Sequence, residues 1–123
     1  MRRRRLILAA LLISSIGCRV EPKPPTEADG KQVWTNIHKQ LGLSNDIQLV
    51  DFKKTDGQMA EVNGVKVYTL FYEAHEKRLT KIGQWNPGDI HIVKSNYGFQ
   101  RTENREQRTE NGWQGPDGTH FPD

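Results

Sequence analysis

Histidines and carboxylates are the side chains of this sequence most able to support a reaction, and their spacing does not match that of a known site. No pair of histidines forms the HxH, HxxxH or HExxH spacing that holds zinc. The four histidines are His38, His75, His91 and His120. His75 and His91 would approach each other if their segments were neighbouring strands, and Glu73 or Asp89 could then complete a two-histidine site. A small metal-dependent enzyme or hydrolase built on His75 and His91 is therefore an alternative, while we expect no catalytic residue, no metal and no cofactor.

The single cysteine, Cys18, ends a segment with the order of an export signal. Arg2–Arg5 precede the apolar run Leu6–Ile13, and the small-residue exit Ser15-Ile16-Gly17-Cys18 follows. This ending resembles the lipobox of bacterial lipoproteins. The resemblance implies signal cleavage between Gly17 and Cys18, thioether lipidation of Cys18 and acylation of the new amino terminus with a chain such as palmitate.

Two other interpretations of the leader remain, namely plain secretion with a coincidental cysteine and a retained membrane anchor. The apolar run is well below the roughly 20 residues that a spanning helix needs. In a cell with two membranes, Arg19 after the lipidated cysteine implies the outer membrane, with the protein facing the periplasm, because aspartate at that position is linked to inner-membrane retention. The sequence thus predicts a membrane-anchored protein outside the cytoplasm.

The positive charge of the sequence belongs to its leader. The whole chain of 123 residues has a net charge of +3, but residues 1–17 contain four arginines and no acidic residue, so a chain beginning at Cys18 has a net charge of −1. This removes the electrostatic argument for nucleic-acid binding, and we expect no nucleic-acid partner. The 106 residues after the leader are enough for one modest core.

The composition divides the chain into three parts. Residues 1–17 are the signal peptide, 18–26 are the lipidated cysteine and a tether, and 27–123 are a single α+β domain. The tether prediction rests on Pro22, Pro24 and Pro25, which favour extended polyproline geometry.

A helix is predicted from near Thr26 to near Gly42. Thr26 is a suitable N-cap, and Gly42 can adopt the left-handed conformation that ends a helix. One apolar stripe at helical spacing predicts the side that packs on the core, with Trp34 in that core. The stripe consists of Val33, Trp34, Ile37 and Leu41.

Strand patterns follow from Ile47. Alternation places Ile47 and Leu49 on one side and Phe52 on the other, and Thr55-Asp56-Gly57 has the composition of a turn. The dipeptide Asn63-Gly64 is typical of a two-residue hairpin turn and fixes a register. This register pairs Val62 with Val65, Glu61 with Lys66, Ala60 with Val67 and Met59 with Tyr68.

The second strand, Val65–Glu76, has two unlike faces. We expect the face that contains Tyr68, Leu70, Tyr72 and Ala74 to pack on the helix. The other face mixes Val67 and Phe71 with polar residues, and nothing in the sequence is expected to cover it.

The C-terminal part is predicted as loops and shorter strands. Residues 79–89 form a loop in which Trp85 either covers an edge of the core or anchors a partner. A third strand covers Ile90–Thr102, and a last short one covers 112–114 with Trp113 packed at the sheet edge. Residues 100–104 recur at 107–111 as QRTEN, which indicates a solvated excursion, and 119–123 are predicted to be a tail.

A helix followed by a curved antiparallel sheet resembles the cystatin-like architecture. The inhibitory loop of cystatins is similar to Gln-x-Val-x-Gly, and Gln58 lies too far from Val62 for that motif, so the resemblance implies architecture and not protease inhibition. The segment from Phe52 to Trp113 also resembles small bacterial lipoproteins, which implies no particular activity.

The expected fold is one N-terminal helix packed on an antiparallel sheet of about four strands. The expected function is a non-catalytic binding role in the bacterial envelope, with the lipid on Cys18 as membrane anchor. The ligand would be an envelope protein or a small apolar molecule, bound by Val67, Phe71 or Trp85. A structural spacer is a further alternative.

Overall fold

The computed structural model describes residues 22–102 and 111–123, which form one helix and one antiparallel sheet. The α+β class is therefore as predicted. The elements are α1 (Glu27–Gln40), β1 (Ile47–Val62), β2 (Val65–Arg78), β3 (Ile90–Thr102), β4 (Gly112–Gln114) and β5 (His120–Pro122). The predicted lipobox and most of the repeat over 100–111 lie outside the described residues.

Helix α1 begins where the sequence predicts it, because Thr26 forms a reciprocal cap. The Thr26 hydroxyl accepts from the Asp29 amide at 3.2 Å, and the Asp29 carboxylate accepts from the Thr26 amide at 2.9 Å. These two bonds satisfy amides that have no partner inside the helix. The helix ends at Gln40, and Gly42 follows with a φ of +74°, the left-handed conformation expected there.

The sheet is a meander in which each strand pairs with the next one along the chain. The β1–β2 turn has positive φ at both Asn63 (53°) and Gly64 (82°), which is the geometry of a tight type I′ hairpin. The register predicted from this turn is confirmed at all four pairs, from Val62–Val65 to Met59–Tyr68. Strand β3 then pairs with β2 over eleven residues without a shift.

Strand β1 has two bulges that the sequence analysis missed. The register shifts between Leu49 and Asp51 and again between Lys54 and Asp56. The first bulge returns Phe52 to the same face as Ile47, so the predicted placement of Phe52 on the other face is wrong. The second bulge stands where a turn was predicted at residues 55–57, and the strand continues through it. An extra residue in one strand reverses the alternation of faces beyond it.

The core lies between α1 and one face of the sheet. The predicted face of β2, from Tyr68 to Ala74, packs there, and Leu70 and Phe99 are fully buried. The helix contributes Val33 and Trp34, so Trp34 is a core residue as predicted. The buried cluster comprises Val33, Trp34, Ile47, Phe52, Tyr68, Leu70, Tyr72, Ala74, Phe99, Trp113 and Phe121.

Residues 22–26, predicted to be part of a tether, are packed on the domain. Pro25 is fully buried, and its carbonyl accepts from Lys54 Nζ at 3.2 Å. The Lys23 carbonyl accepts from the indole Nε1 of Trp113 at 2.8 Å. The described part of the predicted tether therefore contacts the domain, because Trp113 and Lys54 offer donors to carbonyls that an extended proline segment leaves unpaired.

Residues 119–123, predicted to be a tail, contain strand β5, and the turn that precedes them holds the helix. Asn36 Nδ2 donates to Asp117 Oδ2 at 2.9 Å and to Thr119 Oγ1 at 3.0 Å. Burial raises the pKa of Asp117, but hydrogen bonds from Thr119 and Asn36 outweigh burial and leave that pKa below its ordinary value. Phe121 then pairs with Trp113 across the last two strands.

We expect Gly57→Ala to destabilise the fold. A Cβ at residue 57 would lie 1.7 Å from the hydroxyl oxygen of Tyr68, so the buried tyrosine must move. The expected loss is about 1–3 kcal/mol in the free energy of unfolding, measured by urea denaturation. Gly98→Ala on β3 is the matched control, because a Cβ there has no neighbour within 4 Å. Equal effects from the two variants would contradict this account of Gly57.

Candidate binding face

The sheet face opposite the helix, which we call the open face, carries no buried side chain. On β2 it consists of Val67, Thr69, Phe71, Glu73, His75 and Lys77, each half-buried by strands on both sides. Their register partners on β1 and β3 are exposed or half-buried as well. The helix and the hydrophobic cluster lie on the other face. Within residues 22–102 and 111–123, no helix covers the open face, so it is one large surface available to a ligand.

Charged residues of both signs are paired across the middle of the open face. Lys53, Glu73 and Lys94 are in register on three adjacent strands. His75 Nε2 donates to Glu73 Oε2 at 2.8 Å. That hydrogen bond lowers the pKa of Glu73, burial raises it, and the charges of Lys94 and Lys53 lower it further, with a net shift below the ordinary value. Glu73 is thus ionised at neutral pH and flanked by two lysines.

Phe71 lies beside this charged row, in a shallow depression. The depression has a volume of about 380 Å³, and its lining includes Thr55, Phe71, Glu73, Lys94 and Asn96. An aromatic ring surrounded by polar and charged groups matches the usual anatomy of a protein interface, with an apolar centre and a polar rim.

Apolar side chains are concentrated at the two ends of the open face. At one end is what we call the hairpin patch, which consists of Ala60, Val62, Val65 and Val67 around the β1–β2 turn. Val62 is 54% exposed and Val65 is 40% exposed. At the opposite end, Ile90 and Ile92 of β3 are about half exposed.

Trp85 does not share a surface with Val67 and Phe71. Its ring stacks on His91 at 4.5 Å between centroids, and the Arg78 guanidinium lies 5.5 Å from its centroid. His91 and Arg78 are on the helix side of the sheet, so Trp85 covers that side. Of the three residues predicted to bind, the structure brings Val67 and Phe71 together on the open face and leaves Trp85 apart.

The two histidines of the possible metal site point to opposite faces of the sheet. His75 is on the open face with Glu73, whereas His91 is paired with Glu76 in the register and faces the helix. Although β2 and β3 are neighbours, His91 is one residue out of register with His75. Because successive side chains of a strand point to opposite faces, the two histidines lie on opposite sides of the sheet. In the described ranges, no group of three or more histidine, cysteine, aspartate or glutamate residues could hold a metal ion.

A buried ion pair that was not predicted from the sequence joins Glu76 and Arg78. Arg78 Nη1 donates to Glu76 Oε1 at 3.2 Å, and the Trp34 indole Nε1 donates to Glu76 Oε2 at 2.8 Å. Arg78 Nη2 donates to His91 Nδ1 at 2.8 Å, which places the proton of a neutral His91 on Nε2. Both charged residues are buried. The sequence contained a pattern that predicts this burial, because the alternation that buries Tyr68 to Ala74 continues to residues 76 and 78.

A groove lies where the chain enters the domain, between the proline segment and the last strands. Its volume is about 640 Å³, and Arg101 and Asp123 form an ion pair at it. The apolar part of its lining is formed by Pro22, Pro24, Trp113, Phe121 and Pro122.

No known protein family, curated protein or solved structure matches this chain. In the part of the chain that the structure describes, no helix has the length and apolar character needed to cross a membrane. Gly17 and Cys18 lie outside the described residues.

Proposed function

We propose that this chain is a lipid-anchored protein of the bacterial envelope that binds a protein partner, without catalysis, through the open face. Residues 1–17 would direct export, and acylated Cys18 would hold the domain at the outer membrane, facing the periplasm where two membranes are present. The observation that carries the binding role is the open face itself, with Phe71 at its centre and charged pairs beside it.

The dimensions of the open face support a protein partner. Eleven paired residues of β2 and β3 extend about 35 Å, and three strands span about 14 Å. The resulting area of about 500 Å² per partner is at the low end for specific complexes, which is typical of transient ones. The depression at Phe71 is shallow, so it suits a side chain of a partner better than an enclosed small molecule.

Phe71 is the residue that tests this binding role. A photo-crosslinking amino acid in place of Phe71 is expected to form a discrete adduct with one envelope protein in intact cells. The matched control places the same amino acid at Thr35, which is exposed on the helix. The adduct protein, once purified, is expected to bind Phe71→Ser at least tenfold more weakly than the wild type, because the apolar centre is lost.

Two results would contradict the open face as the binding site. One is the same set of adducts from positions 71 and 35. The other is unchanged affinity of the purified adduct protein for Phe71→Ser. Because Phe71 is only half-buried and outside the core cluster, its substitution is expected to leave the unfolding midpoint nearly unchanged, which separates lost binding from lost folding.

A small apolar ligand is a second candidate, and the groove at the chain entry favours it. The groove has five apolar lining residues and a volume within the range of small-molecule sites. It lies at Trp113 and the proline segment, away from Phe71, so a ligand bound there would be unaffected by Phe71→Ser.

A further inference from the structure

The hairpin patch lies at the same end of the domain as the segment that leads to Cys18. In the register of the sheet, Val67 pairs with Gln100, and the next residue of β3, Arg101, pairs with Trp113. Trp113 Nε1 in turn donates to the carbonyl of Lys23. Beyond Val67 the β1–β2 hairpin continues for only two residue pairs and the two turn residues, which is about 10 Å.

The length of chain before the described residues limits how far this end can be from the membrane. Cys18 and Pro22 are four residues apart, so their Cα atoms are at most about 14 Å apart, whatever the conformation between them. A lipid on Cys18 would therefore hold the Lys23–Trp113 end of the domain close to the bilayer. The opposite end, with Trp85 and Ile92, would lie away from it.

The hairpin patch is a contiguous apolar surface at the tip of the hairpin. Val62 and Val65 flank the turn directly, pair with each other and are both exposed. The charged pair of this hairpin, Glu61 and Lys66, is on the other face, so it does not interrupt the patch. Val67 and Ala60 extend the apolar surface by one further pair along the strands.

We infer that the hairpin patch docks on the lipid surface to which Cys18 is anchored and sets the orientation of the domain. This inference rests on the proposed lipid anchor. A patch of two valines and their neighbours is too small to hold a free protein on a membrane, but the anchor keeps it at a high local concentration. The contact therefore forms in the acylated protein and not in one that lacks the lipid.

A spin label at the turn tests the inference on the full acylated protein. Because Cys18 is the only cysteine and is blocked by the lipid, Val62→Cys supplies a single labelling site. Ile92→Cys is the matched control, at 51% exposure on the same face but at the opposite end. The labelled proteins are reconstituted in vesicles of phosphatidylethanolamine and phosphatidylglycerol at a ratio of three to one.

We expect collisions of the residue 62 label with oxygen to exceed those with a water-soluble nickel chelate, and the reverse at residue 92. A second test places the label at residue 60 through Ala60→Cys. When Val62→Glu and Val65→Glu are added to that protein, the label at residue 60 is expected to become as accessible to the nickel chelate as the label at residue 92. Membrane flotation of that variant should persist, because the lipid anchor is intact.

The outcomes separate this inference from the proposed anchor. A protein with the mass of the acylated chain that floats with vesicles, yet has equally aqueous labels at residues 62 and 92, overturns the docking and leaves the anchor standing. The docking is also overturned if the label at residue 60 stays inaccessible to the nickel chelate after Val62→Glu and Val65→Glu are introduced. A protein of unmodified mass that does not float overturns the anchor, and the docking with it.

Discussion

Glu76→Ala is expected to lower the free energy of unfolding by about 3–5 kcal/mol. The substitution leaves the guanidinium of Arg78 buried without a counter-charge, and it removes the acceptor of the Trp34 indole. Arg78 has little capacity to compensate, because its Nε already lacks a partner among the described residues. The loss is measured from urea denaturation of the purified protein.

Two further glutamate variants make this measurement specific. Glu73→Ala removes the same residue type from the same strand, but on the open face, where its histidine partner is solvated, so a clearly smaller loss than for Glu76→Ala is expected. Glu76→Gln keeps an acceptor for Trp34 and removes only the charge. Its loss in the free energy of unfolding should therefore lie between those of the two alanine variants. If Glu76→Ala costs no more than Glu73→Ala, the ion pair is not a buried structural element.

Cys18→Ser is expected to move the protein entirely from the detergent phase to the aqueous phase in a phase-separation experiment. Each buried methylene contributes about 0.8 kcal/mol, and more than one acyl chain is needed for stable anchoring. Serine offers no thiol for the thioether, so the variant should lack the mass of the lipid. Intact mass is measured on both phases.

Ser15→Leu is the control for the anchor. Lipoboxes usually have leucine, valine or isoleucine three residues before the cysteine, so this change should preserve or improve processing, and the variant should stay in the detergent phase. If the wild type and Cys18→Ser both remain aqueous with the same unmodified mass, the protein is not a lipoprotein, and a diffusible binding role takes precedence.

Local rules in the sequence were sufficient for the helix and for the first hairpin. Thr26 and Gly42 mark the ends of α1 because capping depends on nearby backbone groups. Asn63-Gly64 fixes the register because its positive φ angles permit only one alignment of the flanking strands. From that register, the core face of β2 follows by simple alternation.

The features that were missed depend on residues distant in sequence. The burial of Pro25 depends on Lys54 and Trp113, and the fifth strand depends on pairing with β4. Each bulge of β1 is visible only against the regular partner strand. The predicted core face of β2 was not continued to Glu76, because a charged side chain is seldom buried without a partner. That partner, Arg78, lay beyond the predicted end of the strand.

For the candidate site, the sequence predicted that Val67 and Phe71 share one face of the sheet, but it did not predict the limits of that face. Val67 and Phe71 are on the open face because alternation along β2 is regular. The separation of Trp85 from them could not be predicted, because a loop of eleven residues can fold to either side of a sheet. His75 and His91 were considered as partners because the one-residue offset between β2 and β3 was unknown.

The two bulges of β1 also affect how this sheet meets other sheets. β1 is an edge strand, and a long regular edge is a template on which another chain can add a strand. Here the repeat of outward donors and acceptors is broken twice, and the amide of Lys54, between the breaks, already donates to the Glu27 carboxylate at 2.7 Å. A strand added along residues 47–55 would lose its register at each bulge, so this half of β1 resists edge-to-edge pairing, while the regular stretch from Asp56 to Val62 does not have this protection.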